Sequence, residues 1–269
     1  STLNAWKTGQ WILTNTTAPM VTTMITLAIM LKLGLAPIHA WYPEVLQGST
    51  LPTALIISTW QKLAPLTLLC MMHNSIPTNI ILLVGVVSAM LGGLMGLNQT
   101  QTRKIMAFSS IAHMGWLIIA LNFNQNLALM TLIIYITMTT AMFMTLNTTM
   151  MKTLTNMGTS WTHSPPLTAL TVLTLLSLGG LPPLTGFMPK WFILNTLTMN
   201  KLTALALTLA LTSLPSLYFY VRMAYLTILT TPPTNLTTKY NWRFYTPSHI
   251  SLAITTTLTA LLLPMTPML

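Results

Sequence analysis

The segment LTALTVLTLLSLGGLPPLTGFMPKWFILNTLTM, Leu167–Met199, decides how this chain folds. It holds two apolar runs, Leu167–Leu178 and Phe187–Leu197, and each would extend about 18 Å or less as a helix. Neither run alone crosses the roughly 30 Å of membrane hydrocarbon. The intervening Gly179–Pro183 cannot continue a regular helix, because proline lacks a backbone donor and clashes with the preceding turn. The sequence therefore predicts one discontinuous membrane span over this segment.

The composition excludes an ordinary soluble domain. Only 4% of the 269 residues are charged, against about 25% in soluble domains, and the mean hydropathy is +0.69. Long apolar runs separated by turn signals predict an all-α, polytopic transmembrane helix bundle. We expect about eight spans in one membrane domain over residues 1–269. They are Met20–Ile38, Thr50–Met72, Thr78–Gly96, Lys104–Leu121, Asn126–Leu146, the composite Leu167–Met199, Leu202–Leu229 and His249–Pro264.

The charges are almost all positive: eleven lysines and arginines accompany a single acid, Glu44. The only basic cluster is Arg103-Lys104, which argues against nucleic-acid binding. The lone Cys70 excludes a disulfide framework and a thiolate metal site. No metal-ligand spacing, phosphate loop or nucleophile–base pair is present.

The loop charges indicate the number of spans. Eight spans place most basic loop residues, and Glu44, on one face, and this asymmetry favours eight spans over nine. The basic loop residues of that face are Arg103, Lys104, Lys152, Lys239 and Arg243, whereas the opposite face has only Lys7 and Lys201.

Three lysines, Lys32, Lys62 and Lys190, fall inside predicted spans. A charged lysine at the bilayer centre costs about 2.5–3.5 kcal/mol, and no acid in the same spans offsets it. Each lies near a proline, at positions 37, 65 and 189, that should free the carbonyl four residues earlier, on Leu33, Gln61 and Thr185. A freed carbonyl at this depth needs protein or water as a partner. We therefore expect hydrated defects where these lysines gain and lose protons.

The alternative interpretation is that long lysine side chains reach the membrane interface. It fits Lys201 and Lys239, could fit Lys32, and fits the mid-span Lys62 poorly.

Histidine and the single carboxylate supply further candidates. His39 and His113 could relay protons, although a histidine among apolar neighbours is more often a packing residue. Glu44 is either a charge partner of a basic group or an ordinary helix-end residue.

Four motifs carry a family resemblance. KLGLAPIHAWYPEV (Lys32–Val45), WQKLAP (Trp60–Pro65), LNQTQTRKIMAFSSIAHMGW (Leu97–Trp116) and LGGLPPLTGFMPKW (Leu178–Trp191) resemble the NADH dehydrogenase subunit 2 family. Its members are antiporter-like subunits of the mitochondrial respiratory complex I. The resemblance implies two inverted repeats of five helices, each with one discontinuous helix. Residues 20–72 would be the remainder of the first repeat, residues 78–230 the second repeat, and residues 249–264 a C-terminal span.

The resemblance also implies roles for the candidate residues. Lys32, Lys62 and Lys190 match lysines of a hydrophilic axis that couples quinone reduction elsewhere to proton translocation. His39 and His113 match histidines of the same motifs. Family members begin with further helices, one of which carries a glutamate paired with the first lysine. The chain is therefore expected to lack its N-terminal helices and the acid partner of Lys32.

The resemblance places the rest of the machinery outside this chain. It implies a subunit of H⁺-translocating NADH:ubiquinone reductase that binds no cofactor itself, with NADH, FMN, iron–sulfur clusters and ubiquinone in partner subunits. Its partners would be other membrane-arm subunits, lipids, protons and internal water. It would be a multi-pass protein of the mitochondrial inner membrane. The Arg103/Lys104, Lys152 and Lys239/Arg243 loops would face the matrix, and the C-terminus the intermembrane space.

Two other functions stay open on the sequence. A stand-alone cation/proton antiporter could use the same fold, although intramembrane carboxylates for sodium are lacking. A structural membrane-arm subunit without its own pumping would carry lysines that no longer function.

Overall fold

A computed structural model of the chain describes residues 6, 7, 9, 19–158, 165–229 and 250–261. Apart from one isolated bridge between Gln101 and Thr153, the regular structure in these ranges is helical. In chain order, the helices are α1 Pro19–Leu33, α2 Trp41–Gly48, α3 Leu51–Met71, α4 Thr78–Gly96, α5 Thr102–Phe123, α6 Gln125–Thr148, α7 Leu154–Gly158, α8 Pro165–Gly179, α9 Phe187–Met199, α10 Thr203–Leu229 and α11 Ile250–Leu261.

The all-α transmembrane fold is confirmed. Five described helices, α3, α4, α5, α6 and α10, are long and apolar enough to cross a membrane. The helices α1, α8 and α11 are apolar but shorter, with 15, 15 and 12 residues. The count of eight spans stays a prediction, because three of the predicted spans correspond to these shorter helices.

Helix α5 is the most enclosed of the five long helices and packs closely against α4. Their glycines allow this approach. A Cβ atom at Gly92 would lie 2.7 Å from the backbone nitrogen of Ala112, and one at Gly115 would lie 2.4 Å from Ser88 Oγ. Close approach at small residues is a usual way to hold membrane helices together, because lipid gives them no hydrophobic drive to associate.

The helical structure is interrupted twice within apolar sequence, by a first break at residues 34–40 and a second break at residues 180–186. Both breaks begin with the same pattern of backbone hydrogen bonds. At the end of α1, Gly34 N donates to Leu31 O and Leu35 N to Met30 O. At the end of α8, Gly180 N donates to Ser177 O and Leu181 N to Leu176 O. Gly34 and Gly180 have φ values of 74° and 76°, the left-handed conformation that ends helices at glycine.

The predicted discontinuity in Leu167–Met199 is therefore confirmed, with α8 ending at Gly179 and α9 beginning at Phe187. The predicted span Met20–Ile38 is too long, because its helix ends at Leu33. The short helix α2 follows the first break and was not predicted.

Each of three prolines was expected to free a helical carbonyl near a lysine. This prediction is correct for Pro65 and wrong for Pro37 and Pro189. Pro65 lies inside α3, as expected. Pro37 lies in the first break, outside any helix, so it frees no helical carbonyl at Leu33. Pro189 lies in the first turn of α9, where backbone N–H groups lack helical acceptors anyway. The carbonyl of Thr185 accepts a hydrogen bond from Met188 N at 3.2 Å.

Candidate functional site

Lys62 lies on the buried face of α3, with only 3% of its surface exposed. Its Nζ donates a hydrogen bond to Tyr135 Oη on α6 at 3.1 Å. The tyrosine hydroxyl in turn donates to the carbonyl of Ser58 at 3.1 Å. Because Ser58 lies about one turn before Lys62, these bonds form a closed loop between α3 and α6.

Two aromatic rings flank the same ammonium group. Lys62 Nζ lies 5.0 Å from the ring centroid of Tyr42 and 4.9 Å from that of Tyr135. A cation over an aromatic face gains roughly 2 kcal/mol or more when it is desolvated. Tyr42 belongs to α2, and its ring packs on Gly34, where a Cβ atom would lie 3.1 Å from Tyr42 Cγ. The first break therefore brings Tyr42 against Lys62.

His113 lies on α5, beside this loop. Its Nε2 is 3.4 Å from Tyr220 Oη on α10, and its ring centroid is 5.8 Å from that of Tyr135. His113 therefore lies between Tyr220 and Tyr135, the residue that accepts the hydrogen bond of Lys62.

Lys190 lies in the first turn of α9 and reaches back across the second break. Its Nζ donates to the carbonyl of Gly179, the last residue of α8, at 2.9 Å. A cation at a helix C-terminus is stabilised by the partial negative charge of the last carbonyls. Gly180 leaves room for the side chain, since a Cβ atom there would lie 2.8 Å from Lys190 Nζ. The broken backbone therefore forms the binding site for this ammonium group.

A small cavity of about 20 Å³ joins the two halves of the site. His113, Tyr135 and Lys190 line it, together with Trp116, Thr131, Met138, Pro189 and Ile193. This volume suffices for about one water molecule. Nearby, the buried hydroxyl of Tyr42 has no hydrogen-bond partner among the described residues. The site is thus one cluster of polar side chains inside an apolar bundle, formed by Lys62, Tyr135, His113 and Lys190.

The remaining predicted residues lie elsewhere. Lys32 is in the last turn of α1 and is exposed on the surface of the chain. His39 lies in the first break, half-buried, with Nδ1 3.2 Å from Pro37 O. Glu44 lies in helix α2 rather than in a loop, and is exposed. Within the described ranges, no hydrogen bond, ion pair or ring contact joins these three to Lys62, His113 or Lys190.

The sequence interpretation missed the three tyrosines of the site: Tyr42, Tyr135 and Tyr220. A signal for Tyr135 was present, because it is the single tyrosine in the apolar run Asn126–Leu146. Tyr42 and Tyr220 have neighbouring aromatic residues and could not be distinguished from packing residues by pattern.

Two family models match this chain and together cover almost all of it. Residues 3–215 match the model described as NADH:quinone oxidoreductase/Mrp antiporter, TM. Residues 217–269 match the model for the NADH dehydrogenase subunit 2 C-terminus. The chain is 52% identical over 268 residues to NADH-ubiquinone oxidoreductase chain 2 of Tetraodon nigroviridis and 50% identical over 266 residues to that of Struthio camelus. Each comparison covers 99% of this chain and 77% of the relative.

Solved structures show the same fold at low sequence identity. A chain of respiratory complex I from Thermus thermophilus with bound Aureothin matches with a TM-score of 0.79 and 24% identity. A chain of the Mrp complex from Dietzia sp. DQ12-45-1b matches with a TM-score of 0.73 and 12% identity. The comparisons cover 98% and 93% of this chain, but only 63% and 57% of those chains.

Proposed function

The chain belongs to the NADH-ubiquinone oxidoreductase chain 2 family of complex I membrane subunits, and we propose that it passes protons between Lys62 and Lys190 by way of Tyr135 and His113. The observation that carries this proposal is the cluster of polar side chains that these four residues form in the apolar interior. Each member is a proton donor, an acceptor or both. Stability alone would not favour a buried Lys62 and a half-buried Lys190 without a carboxylate beside them.

The proposed transfer requires the hydroxyl of Tyr135, which donates to Ser58 O, to turn towards His113. A protonated Lys62 gives its proton to the hydroxyl oxygen of Tyr135 as that hydroxyl releases its own proton towards His113. His113 or water in the cavity then delivers a proton to a neutral Lys190. Each step leaves the donor one proton short and the acceptor one proton richer. Because like charges in a low dielectric repel one another, a proton at one end disfavours a second proton nearby and biases the next transfer.

We propose the same kind of role for Lys32, and for His39 as a second relay. The support is structural likeness between the two breaks: Lys32 lies in the last turn of α1, and Lys190 caps the last carbonyl of α8. The shared glycine caps also support the division into repeats at residues 20–72 and 78–230, with a C-terminal span at residues 249–264. Glu44, on α2, is proposed as a charge partner for a basic group outside the described contacts.

The chain is a multi-pass membrane protein. We propose that it lies in the mitochondrial inner membrane, with the most basic face of the chain towards the matrix. The hydrogen bond from Thr102 N to Lys152 O keeps Lys152 beside Arg103 and Lys104 at one end of the bundle. Short basic loops stay on the side from which a membrane protein is inserted. We place NADH, FMN, iron–sulfur clusters and ubiquinone in partner subunits, with membrane-arm subunits and lipids around this chain.

The test is Lys62→Met in the assembled complex, with the exposed Lys201→Met as the matched control. We expect Lys62→Met to lower both turnover and the number of protons moved per electron while Lys201→Met leaves them unchanged. Unchanged values for the Lys62 variant would refute the proposal for this residue. A smaller amount of assembled complex, with normal pumping by the complex that does form, would indicate a structural subunit. Sodium-dependent transport by the isolated protein would indicate an antiporter.

A further inference from the structure

Helix α10 carries an apolar groove on the outside of the bundle. The groove has a volume of about 600 Å³ and is lined by Leu97, Leu214, Pro215, Leu217, Tyr218 and Val221. Leu97 directly follows the end of α4, so the groove runs along α10 beside the C-terminal end of that helix. The two helices touch at its floor, where a Cβ atom on Gly93 would lie 3.2 Å from Pro215 Cβ.

One end of the groove carries a positive charge. Arg222 follows the groove residue Val221, and its Nη1 donates to the carbonyl of Leu97 at 2.9 Å. Leu97 is thus both a wall of the groove and the acceptor that fixes the guanidinium group beside it. A guanidinium group has five N–H donors, and its fork matches the oxygen atoms of a phosphate group. Arg222 is half-buried, and this bond to Leu97 O uses only one of its two terminal nitrogens.

The same end of the groove lies at the level where lipid headgroups are expected. Arg103 and Lys104 are in the first turn of α5, a few residues after Leu97, and make this the basic face of the bundle. Tyr218 and Tyr225 on α10 are 60% and 59% exposed. Exposed tyrosines are enriched where hydrocarbon meets headgroups, because the ring is apolar and the hydroxyl is polar.

We propose that this groove binds an anionic phospholipid, with an acyl chain along residues 214–221 and the phosphate group on Arg222. The apolar walls suit a hydrocarbon chain, and the N–H groups of Arg222 that do not bind Leu97 O suit a phosphate group at its end. The neighbouring basic residues favour a lipid with net negative charge over a zwitterionic one. A partner's transmembrane helix would fill the apolar part of the groove but would leave the guanidinium without an anionic partner.

The experiment uses the assembled complex in phosphatidylcholine vesicles with a trace of photoactivatable lipid. The probe is phosphatidic acid with a diazirine in one acyl chain, and the matched probe is phosphatidylcholine with the same chain. We expect phosphatidic acid to label residues 214–221 about fivefold more than phosphatidylcholine does, as one cation near the surface allows. Arg222→Gln should remove this difference. Lys201→Gln should preserve it, because the exposed Lys201 lies just before the start of α10, at the opposite end of that helix from Arg222.

A second variant tests the groove without touching the arginine. Leu214→Trp should fill the groove and lower labelling by both lipids, even if Arg222→Gln fails to assemble. Equal labelling by the two lipids, or an unchanged preference in Arg222→Gln, would overturn the proposal. Crosslinks from the groove to a helix of another subunit, in place of lipid labelling, would also overturn it.

Discussion

Lys190 Nζ lies 2.9 Å from the carbonyl oxygen of Gly179, so the ammonium group of α9 caps the helix that ends just before it. The break between α8 and α9 therefore does more than interrupt a membrane span. It exposes helix-end carbonyls inside the bundle, and a titratable cation binds to one of them. The position of this cation depends on the left-handed glycine that follows Gly179.

Gly180→Ala should displace Lys190 from this carbonyl. The left-handed φ of 76° is unfavourable for alanine, and the new Cβ would lie 2.8 Å from Lys190 Nζ. We expect a stability loss of about 1–3 kcal/mol and reduced proton transfer. Gly179→Ala is the matched control, because a Cβ there would lie 3.9 Å from Tyr220 Cβ, an ordinary contact. Thermal unfolding and proton pumping of the two variants make the comparison. Equal behaviour would show that Lys190 does not depend on Gly180.

Lys62→Arg should separate charge from titration. Arginine keeps the cation between the rings of Tyr42 and Tyr135 but cannot release its proton in a protein. We expect normal assembly, with proton translocation lowered by about tenfold or more. Lys201→Arg, at an exposed position, should change neither quantity. Normal pumping by Lys62→Arg would mean that residue 62 acts by fixed charge alone.

Tyr135→Phe should weaken the same site without removing the lysine. The variant loses the acceptor for Lys62 and the donor to Ser58 O, but it keeps the aromatic face. We expect a stability loss of about 1–3 kcal/mol for the buried groups left without partners, together with slower proton transfer. Tyr218→Phe removes a hydroxyl from an exposed ring and should stay within about 0.5 kcal/mol of the parent. If both variants pump at the parent rate, the hydroxyl of Tyr135 is not a relay.

The sequence predicts which residues are buried in the membrane better than it predicts their partners. Lys62 could be placed deep in a span by counting residues, and the break after Leu178 followed from glycine and proline alone. Helix α2 was missed because its eight residues are too few to form an apolar run. The contacts of Lys62 with Tyr42 and Tyr135 join three helices, so no local pattern contains them. Lys32, like Lys62, falls inside a predicted span and near a proline, yet it is exposed on this chain.

Gly92→Ala should test the packing on which the site depends. A Cβ at this position would lie 2.7 Å from Ala112 N and 2.8 Å from Phe108 O. These are backbone atoms, so α4 and α5 would have to separate, and α5 carries His113. We expect a stability loss of about 1–3 kcal/mol or more and a smaller amount of assembled complex. Gly48→Ala is the control, since a Cβ there meets nothing within 4 Å. Native gels and thermal unfolding measure both variants. A Gly92→Ala protein as stable as Gly48→Ala would show that the contact between α4 and α5 can loosen without consequence.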